Sequence, residues 1–191
     1  SGILTEQADG WFYKSNLGSG SFSQAKVVAP KPSFSGVSAG AVSIQELEGD
    51  GVKCLVQYDK EPKGFFKLTP DEEWEPFQPF KAFPNIDIRD PNMRPMDLNG
   101  DGLADLVFTE ENLIRWYPGA GEKGFELPLT VAKVVDEEKG PAVLFADLSQ
   151  SIFLADMSSD GLTDIVRIKN GEVCYWPNLG YGLFGAKVSM D

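Results

Sequence analysis

Residues 97–107 read Asp-Leu-Asn-Gly-Asp-Gly-Leu-Ala-Asp-Leu-Val, and residues 156–166 read Asp-Met-Ser-Ser-Asp-Gly-Leu-Thr-Asp-Ile-Val. Both place oxygen-bearing side chains at positions 1, 3, 5 and 9 and a glycine at position 6. Two aliphatic residues follow at once. A degraded third copy, residues 46–56, reads Glu-Leu-Glu-Gly-Asp-Gly-Val-Lys-Cys-Leu-Val. The copies start 51 and 59 residues apart. Self-similarity at such a period marks a repeat architecture and decides how the rest of the chain is read.

A second motif follows each loop: a tryptophan, a glycine-rich turn, then a phenylalanine. It runs from Trp116 to Phe125, from Trp176 to Phe184 and from Trp11 to Phe22, with a weak copy without glycines at Trp74 to Phe77. Short apolar runs fill the space between the motifs. Leu106–Phe108 and Leu113–Tyr117 flank a tight reversal, Ile165–Ile168 and Val173–Trp176 flank Lys169-Asn170-Gly171, and Leu55–Tyr58 and Phe65–Leu68 flank a longer polar link. Asn-Gly between apolar runs is a strong hairpin signal, because both residues tolerate positive φ. Lys26–Ala29 and Thr130–Val135 are further strand candidates, and no helical period of any length stands out.

About four short strands in each unit of 50 to 60 residues describe a propeller blade. The predicted fold class is therefore all-β, a β-propeller segment of about three to four blades with calcium-type loops. An open solenoid of sheets is the alternative. The 191 residues read as a single repeat domain, with a partial repeat over about 1–43 and repeats over about 44–95, 96–153 and 154–191. Closed propellers have about 4 to 8 blades, so the segment is expected to be a piece of a larger protein or to associate with other copies.

Composition removes several classes of function. A net charge of −12 with pI near 4.4 repels nucleic acid and anionic membrane surfaces. No run approaches the roughly 20 apolar residues of a spanning helix, so no membrane insertion is expected of this segment. Histidine is absent, which removes the usual general base and the commonest zinc ligand. Cys54 and Cys174 are too few for a disulfide framework and read as reduced core residues. No catalytic residue and no organic cofactor site is expected.

The acidic loops carry the candidate chemistry. Asp97, Asn99, Asp101 and Asp105, with the Leu103 carbonyl, form one candidate calcium set; Asp156, Ser158, Asp160 and Asp164, with the Leu162 carbonyl, form the other. Calcium takes 6 to 8 hard oxygen ligands, and Gly102 and Gly161 allow the sharp turn that gathers them. The competing reading is a metal-free turn held by side-chain-to-backbone bonds. Ser158 is a poorer ligand than Asn99, so the first loop should bind better. Cys54 stands where the other copies have a ninth-position aspartate, and a thiol is too soft for calcium; that loop is expected to be weak or empty. The repeated tryptophans and phenylalanines read as packing between blades, the alternative being exposed rings that stack on sugars.

Residues 152–191, from Ile-Phe-Leu-Ala-Asp-Met-Ser-Ser-Asp-Gly to Tyr-Trp-Pro-Asn-Leu-Gly-Tyr-Gly-Leu-Phe and the terminal strand, resemble the propeller region of the SpvB and Tc-toxin B-subunit family. The Asp97–Asp105 loop is similar to the wider FG-GAP/VCBS repeat group. The resemblance implies a secreted bacterial toxin component. Its propeller would dock on the A-subunit channel, beside the C subunit, and gate the passage of a toxic enzyme encoded elsewhere. A calcium-dependent glycan or cell-surface adhesion module is the second functional reading, and a homo-oligomer is a further expectation.

Overall fold

A computed structural model describes residues 2–7, 10–28, 43–71 and 73–190. The described residues are almost wholly strand and turn, with no α-helix and a single 3-10 turn at Gly121–Lys123. They form four antiparallel sheets of four strands each. The first holds β1 (Gly2–Gln7), β2 (Gly10–Gly18), β3 (Ser21–Phe22) and β4 (Lys26–Val28). The second holds β5 (Ser43–Glu46), β6 (Lys53–Gln57), β7 (Gly64–Lys67) and β8 (Gln78–Pro79). The third holds β9 (Met93–Met96), β10 (Asp105–Thr109), β11 (Leu113–Tyr117) and β12 (Leu129–Ala132). The fourth holds β13 (Ser151–Ala155), β14 (Asp164–Lys169), β15 (Glu172–Trp176) and β16 (Val188–Met190). In the last three sheets, spatial order follows chain order, the up-and-down meander of a propeller blade.

The first sheet departs from that order. Its β2 pairs with β1 and β4 along most of its length and with the two-residue β3 only at its far end. The pairing Asn16–Phe22 recurs as the bridges Gly119–Phe125, Asn178–Phe184 and Leu68–Trp74, each spanning six residues. Aligned on that closure, β1, β2 and β4 correspond to the second, third and fourth strands of the other sheets.

The chain divides into two compact units, Ser1–Lys81 and Ala82–Asp191. In the first, Trp11, Leu55, Phe66 and Trp74 form a core between the two sheets, with Leu4 and Tyr13 against it. A second cluster, Leu47, Cys54, Val56 and Phe65, packs with Tyr58 and Phe80. In the second unit, Val107, Ile114 and Trp116 of the third sheet meet Ile165, Cys174 and Trp176 of the fourth, with Val143 and Phe145 sealing the cluster. Burial of such apolar area supplies most of the folding free energy. The two cysteines are buried thiols within these cores.

Register corrects the alignment of the tryptophans. Leu106 pairs with Tyr117, whereas its counterpart Ile165 pairs with Trp176. Trp116 and Trp176 are therefore one residue out of step and lie on opposite faces of their sheets. That is why both enter one core: each points at the other's sheet. Trp74 is corrected too. It stands at the six-residue closure, where the other copies have phenylalanine, and Phe65 holds the place of Trp116.

Candidate functional site

Each acidic loop joins the first strand of its sheet to the second. In the Asp97 loop the side chains first serve the loop's own backbone. Asp97 accepts the N–H of Gly100 on Oδ1 (2.7 Å) and that of Gly102 on Oδ2 (2.8 Å). Asn99 Oδ1 accepts from Asp101 N, and Asp101 Oδ1 accepts from Leu103 N. Asn99 Nδ2 donates to Asp101 Oδ2 at 2.9 Å. The Asp156 loop repeats the scheme, with Asp156 accepting from Asp160 N and Gly161 N, and Asp160 accepting from Leu162 N. Gly102 and Gly161 have φ of +83° and +90°, so a side chain at either position strains the turn.

The ninth-position aspartates differ from the others. Asp105 and Asp164 have no exposed surface. Asp105 Oδ2 accepts from Leu98 N within the loop at 2.9 Å, and Oδ1 accepts from Gly119 N at 2.8 Å. Asp164 Oδ2 accepts from Met157 N and Ser158 N, while Oδ1 accepts from Asn178 N at 2.8 Å. One carboxylate thus pins the acidic loop to the aromatic turn that follows the third strand. Burial pushes Asp105 up to about 6; the N–H groups of Gly119 and Leu98 pull it down, and the charges of Asp101 and Asp97 push it up.

The degraded loop explains itself on this basis. Cys54 offers no carboxylate to the turn, and Leu68 N, the counterpart of Gly119 N, donates to the Lys53 carbonyl at 2.9 Å. Lys53 pairs with Glu46, and Lys67 lies 3.9 Å from Asp50.

Sequence reasoning placed Asp97, Asn99, Asp101 and Asp105 in one loop and Asp156, Ser158, Asp160 and Asp164 in the other, and the structure keeps each set together. It did not assign the ninth position its role as a pin. As the loops stand, no group of three or more Asp, Glu or Cys side chains among the described residues is placed so as to hold a metal ion. The donor chemistry still suits a hard cation, because a carboxylate oxygen that accepts one N–H keeps a second lone pair. The groups that would hold calcium are Asp97, Asn99, Asp101 and the Leu103 carbonyl, and the matching four in the Asp156 loop.

The aromatic turn of the fourth sheet stands beside the Asp97 loop. Asn178 Nδ2 reaches the Asp97 carbonyl at 3.5 Å, and Asn178 Oδ1 accepts from Gly180 N. At the tip of this turn Tyr181 is 69% exposed. A strap on the opposite side closes the core. Glu137 accepts from Arg167 Nη1 at 2.7 Å, its carbonyl accepts from Trp176 Nε1 at 2.7 Å, and Arg167 stacks over the Trp176 ring. Among the described residues no helix is long and apolar enough to cross a membrane.

Antiparallel four-stranded sheets, three of them with an acidic loop between the first and second strands and two of those loops pinned by a buried aspartate to an aromatic turn, define a β-propeller segment. Residues 97–167 match the FG-GAP-like repeat family. A chain of the Photorhabdus luminescens Tc holotoxin pore is similar over 99% of this chain, with 28% identity and a TM-score of 0.80. This chain spans only 9% of the length of that one. A lectin of Agrocybe aegerita that recognises non-reducing terminal N-acetylglucosamine is similar over 94% of this chain and 46% of its own, at 19% identity and a TM-score of 0.54, a likeness of fold. No curated protein sequence matches the chain.

Proposed function

We propose that the chain is a non-catalytic propeller segment of a secreted toxin B-like component, serving as an interaction scaffold that docks on an A-subunit channel and helps to gate it. The observation that carries this reading is the TM-score of 0.80 to a Tc holotoxin pore chain, extending over nearly every residue of this chain. The acidic field of −12 suits a basic protein surface and suits neither nucleic acid nor an anionic membrane. The test is binding of the purified chain to an immobilised pentameric toxin A-subunit channel, read by interferometry. Saturable binding that weakens with salt supports the docking role; no binding at any concentration overturns it.

Calcium is the stabilising ion of the proposal, held in the Asp97 and Asp156 loops. A ligand bound only by the native state adds about 2.7 kcal/mol at a hundredfold excess over its Kd. A calcium-specific rise in melting temperature, absent with magnesium and reduced in Asp97→Ala, is the expected outcome. An unchanged melt in excess calcium reduces both loops to turns.

One observation favours a second reading, a glycan-binding module. Tyr181 presents an exposed ring on the turn beside the Asp97 loop, and such rings stack on sugar faces. A glycan array with no hit on the native chain overturns it.

A further inference from the structure

Seven asparagines occur in the chain, and two of them, Asn99 and Asn170, precede a glycine. The other five precede leucine, isoleucine or methionine, whose side chains crowd the backbone nitrogen that follows the asparagine. That nitrogen matters because asparagine is a thermolabile residue. Once it gives up its proton, the nitrogen attacks the side-chain Cγ and closes a five-membered succinimide, and the carboxamide nitrogen leaves as ammonia. Water then opens one of the two ring carbonyls and gives aspartate or the β-linked isoaspartate. The reaction consumes water alone and needs no enzyme and no oxidant.

The two Asn-Gly pairs are held in opposite ways. At Asn99 both reacting groups are engaged. The attacking nitrogen, Gly100 N, donates to Asp97 Oδ1 at 2.7 Å. The carboxamide under attack is clamped at both ends: Oδ1 accepts from Asp101 N and Nδ2 donates to Asp101 Oδ2, each at 2.9 Å. Asn170 and Gly171 instead form the exposed tip of the hairpin between β14 and β15, closed by the Lys169–Glu172 pairing. Among the described residues, no hydrogen bond engages the Asn170 carboxamide or Gly171 N. Nothing lies within 4 Å of a Cβ built on Gly171, so no neighbour hinders the attack. Loop tips of this kind open locally at small cost. The Asp97 loop must first break three hydrogen bonds.

We infer that Asn170 is the chain's site of spontaneous deamidation, and that Asp97 and Asp101 shield Asn99 from the same reaction. Conversion adds one negative charge to the tip between Lys169 and Glu172. Where the product is isoaspartate, an extra backbone methylene enters a two-residue turn whose closure sets Ile168 against Val173. The ageing chain therefore loosens at this end of the hairpin, beside the Arg167–Glu172 pair, while its Asp97 loop stays intact.

Incubation of the purified chain in mildly alkaline buffer with a chelator, followed by peptide mapping with mass spectrometry, tests it. Deamidation registers as a mass gain on the peptide that holds the residue. In the native chain Asn170 is expected to convert at least about tenfold faster than Asn99. In the urea-unfolded chain, where nothing shields either residue, the two rates should converge. Asp97→Ala frees Gly100 N and should speed Asn99 severalfold while leaving Asn170 as it was. Circular dichroism matching the native chain certifies the variant's fold; Asp101→Ala, which removes the acceptor of Asn99 Nδ2, replaces it if it does not. A native chain in which Asn99 converts as fast as Asn170, an Asn170 that stays intact while the unfolded chain converts, or a folded variant in which Asn99 remains as slow as before each overturns the inference.

Discussion

At the scale of single residues, the informative contrast is between aspartates of one loop. Asp101 is exposed and bonds within its own turn, whereas Asp105 is fully buried and holds two N–H groups, that of Leu98 seven residues before it in the loop and that of Gly119 fourteen residues after it in the turn. A buried donor that loses its acceptor costs about 1–3 kcal/mol. Asp105→Ala should thus lower stability by at least about 2 kcal/mol in urea unfolding without calcium. Asp101→Ala should stay within about 0.5 kcal/mol under the same conditions. Equal losses for the two variants would mean that the pin carries nothing special. The sequence showed the oxygen at position 9 but not its partner, because Gly119 N is brought near only by the ladder between the second and third strands. One signal was available. The copy that lacks the aspartate, at Cys54, is also the copy whose aromatic turn lacks its glycines. Two motifs that decay together are candidates for a shared bond.

Among the elements, hairpins were legible and register was not. Asn170 and Gly171 have φ of +52° and +85°, the primed turn that their identity announced. Nothing lies within 4 Å of a Cβ added to Gly171, so Gly171→Ala tests the backbone alone, and left-handed φ costs an L-residue about 1–2 kcal/mol. A lowered melting temperature with unchanged near-UV signal is expected. The tryptophans were legible as core but not as to face. A shift of one residue turns a side chain to the other side of a sheet, and a Trp-Gly-Phe pattern read without pairing conceals that shift. The strap over Trp176 had no sequence signal, since Glu137 looks like any surface acid. The hydrogen bond from Arg167, aided by the charges of Arg167 and Lys187, holds Glu137 below the usual carboxylate range against a smaller opposing effect of burial. A folded pKa below the unfolded one gives stability that is present above about pH 4.3, the ordinary glutamate value, and is lost as pH falls through the lower folded value. Melting temperature should therefore drop more steeply below that pH in the native chain than in Glu137→Gln. Parallel curves for the two would show that the ion pair adds nothing.

Across the whole molecule, the sequence revealed the repeat but not where its unit begins. The acidic loop is the most visible feature, yet each complete sheet starts one strand earlier, with short runs such as Met93–Met96 and Ser151–Ala155 that carry no motif of their own. The grouping of sheets was equally hidden, because it depends on which faces share a core. Val107, Ile114, Trp116, Ile165, Cys174 and Trp176 belong to one cluster that lies wholly within Ala82–Asp191. Both Asp pins and the Glu137–Arg167–Trp176 strap also close within that unit. A region that contains its own core and pairs its buried aspartates within itself has much of what cooperative folding requires. Residues 82–191 expressed alone should therefore unfold in one sharp thermal transition and keep the β-sheet circular dichroism of the full chain. A broad, sloping melt would mean that residues 82–191 do not fold cooperatively by themselves. Two copies of a repeat sharing one core would then be too few, and the smallest stable piece of this propeller would be three blades.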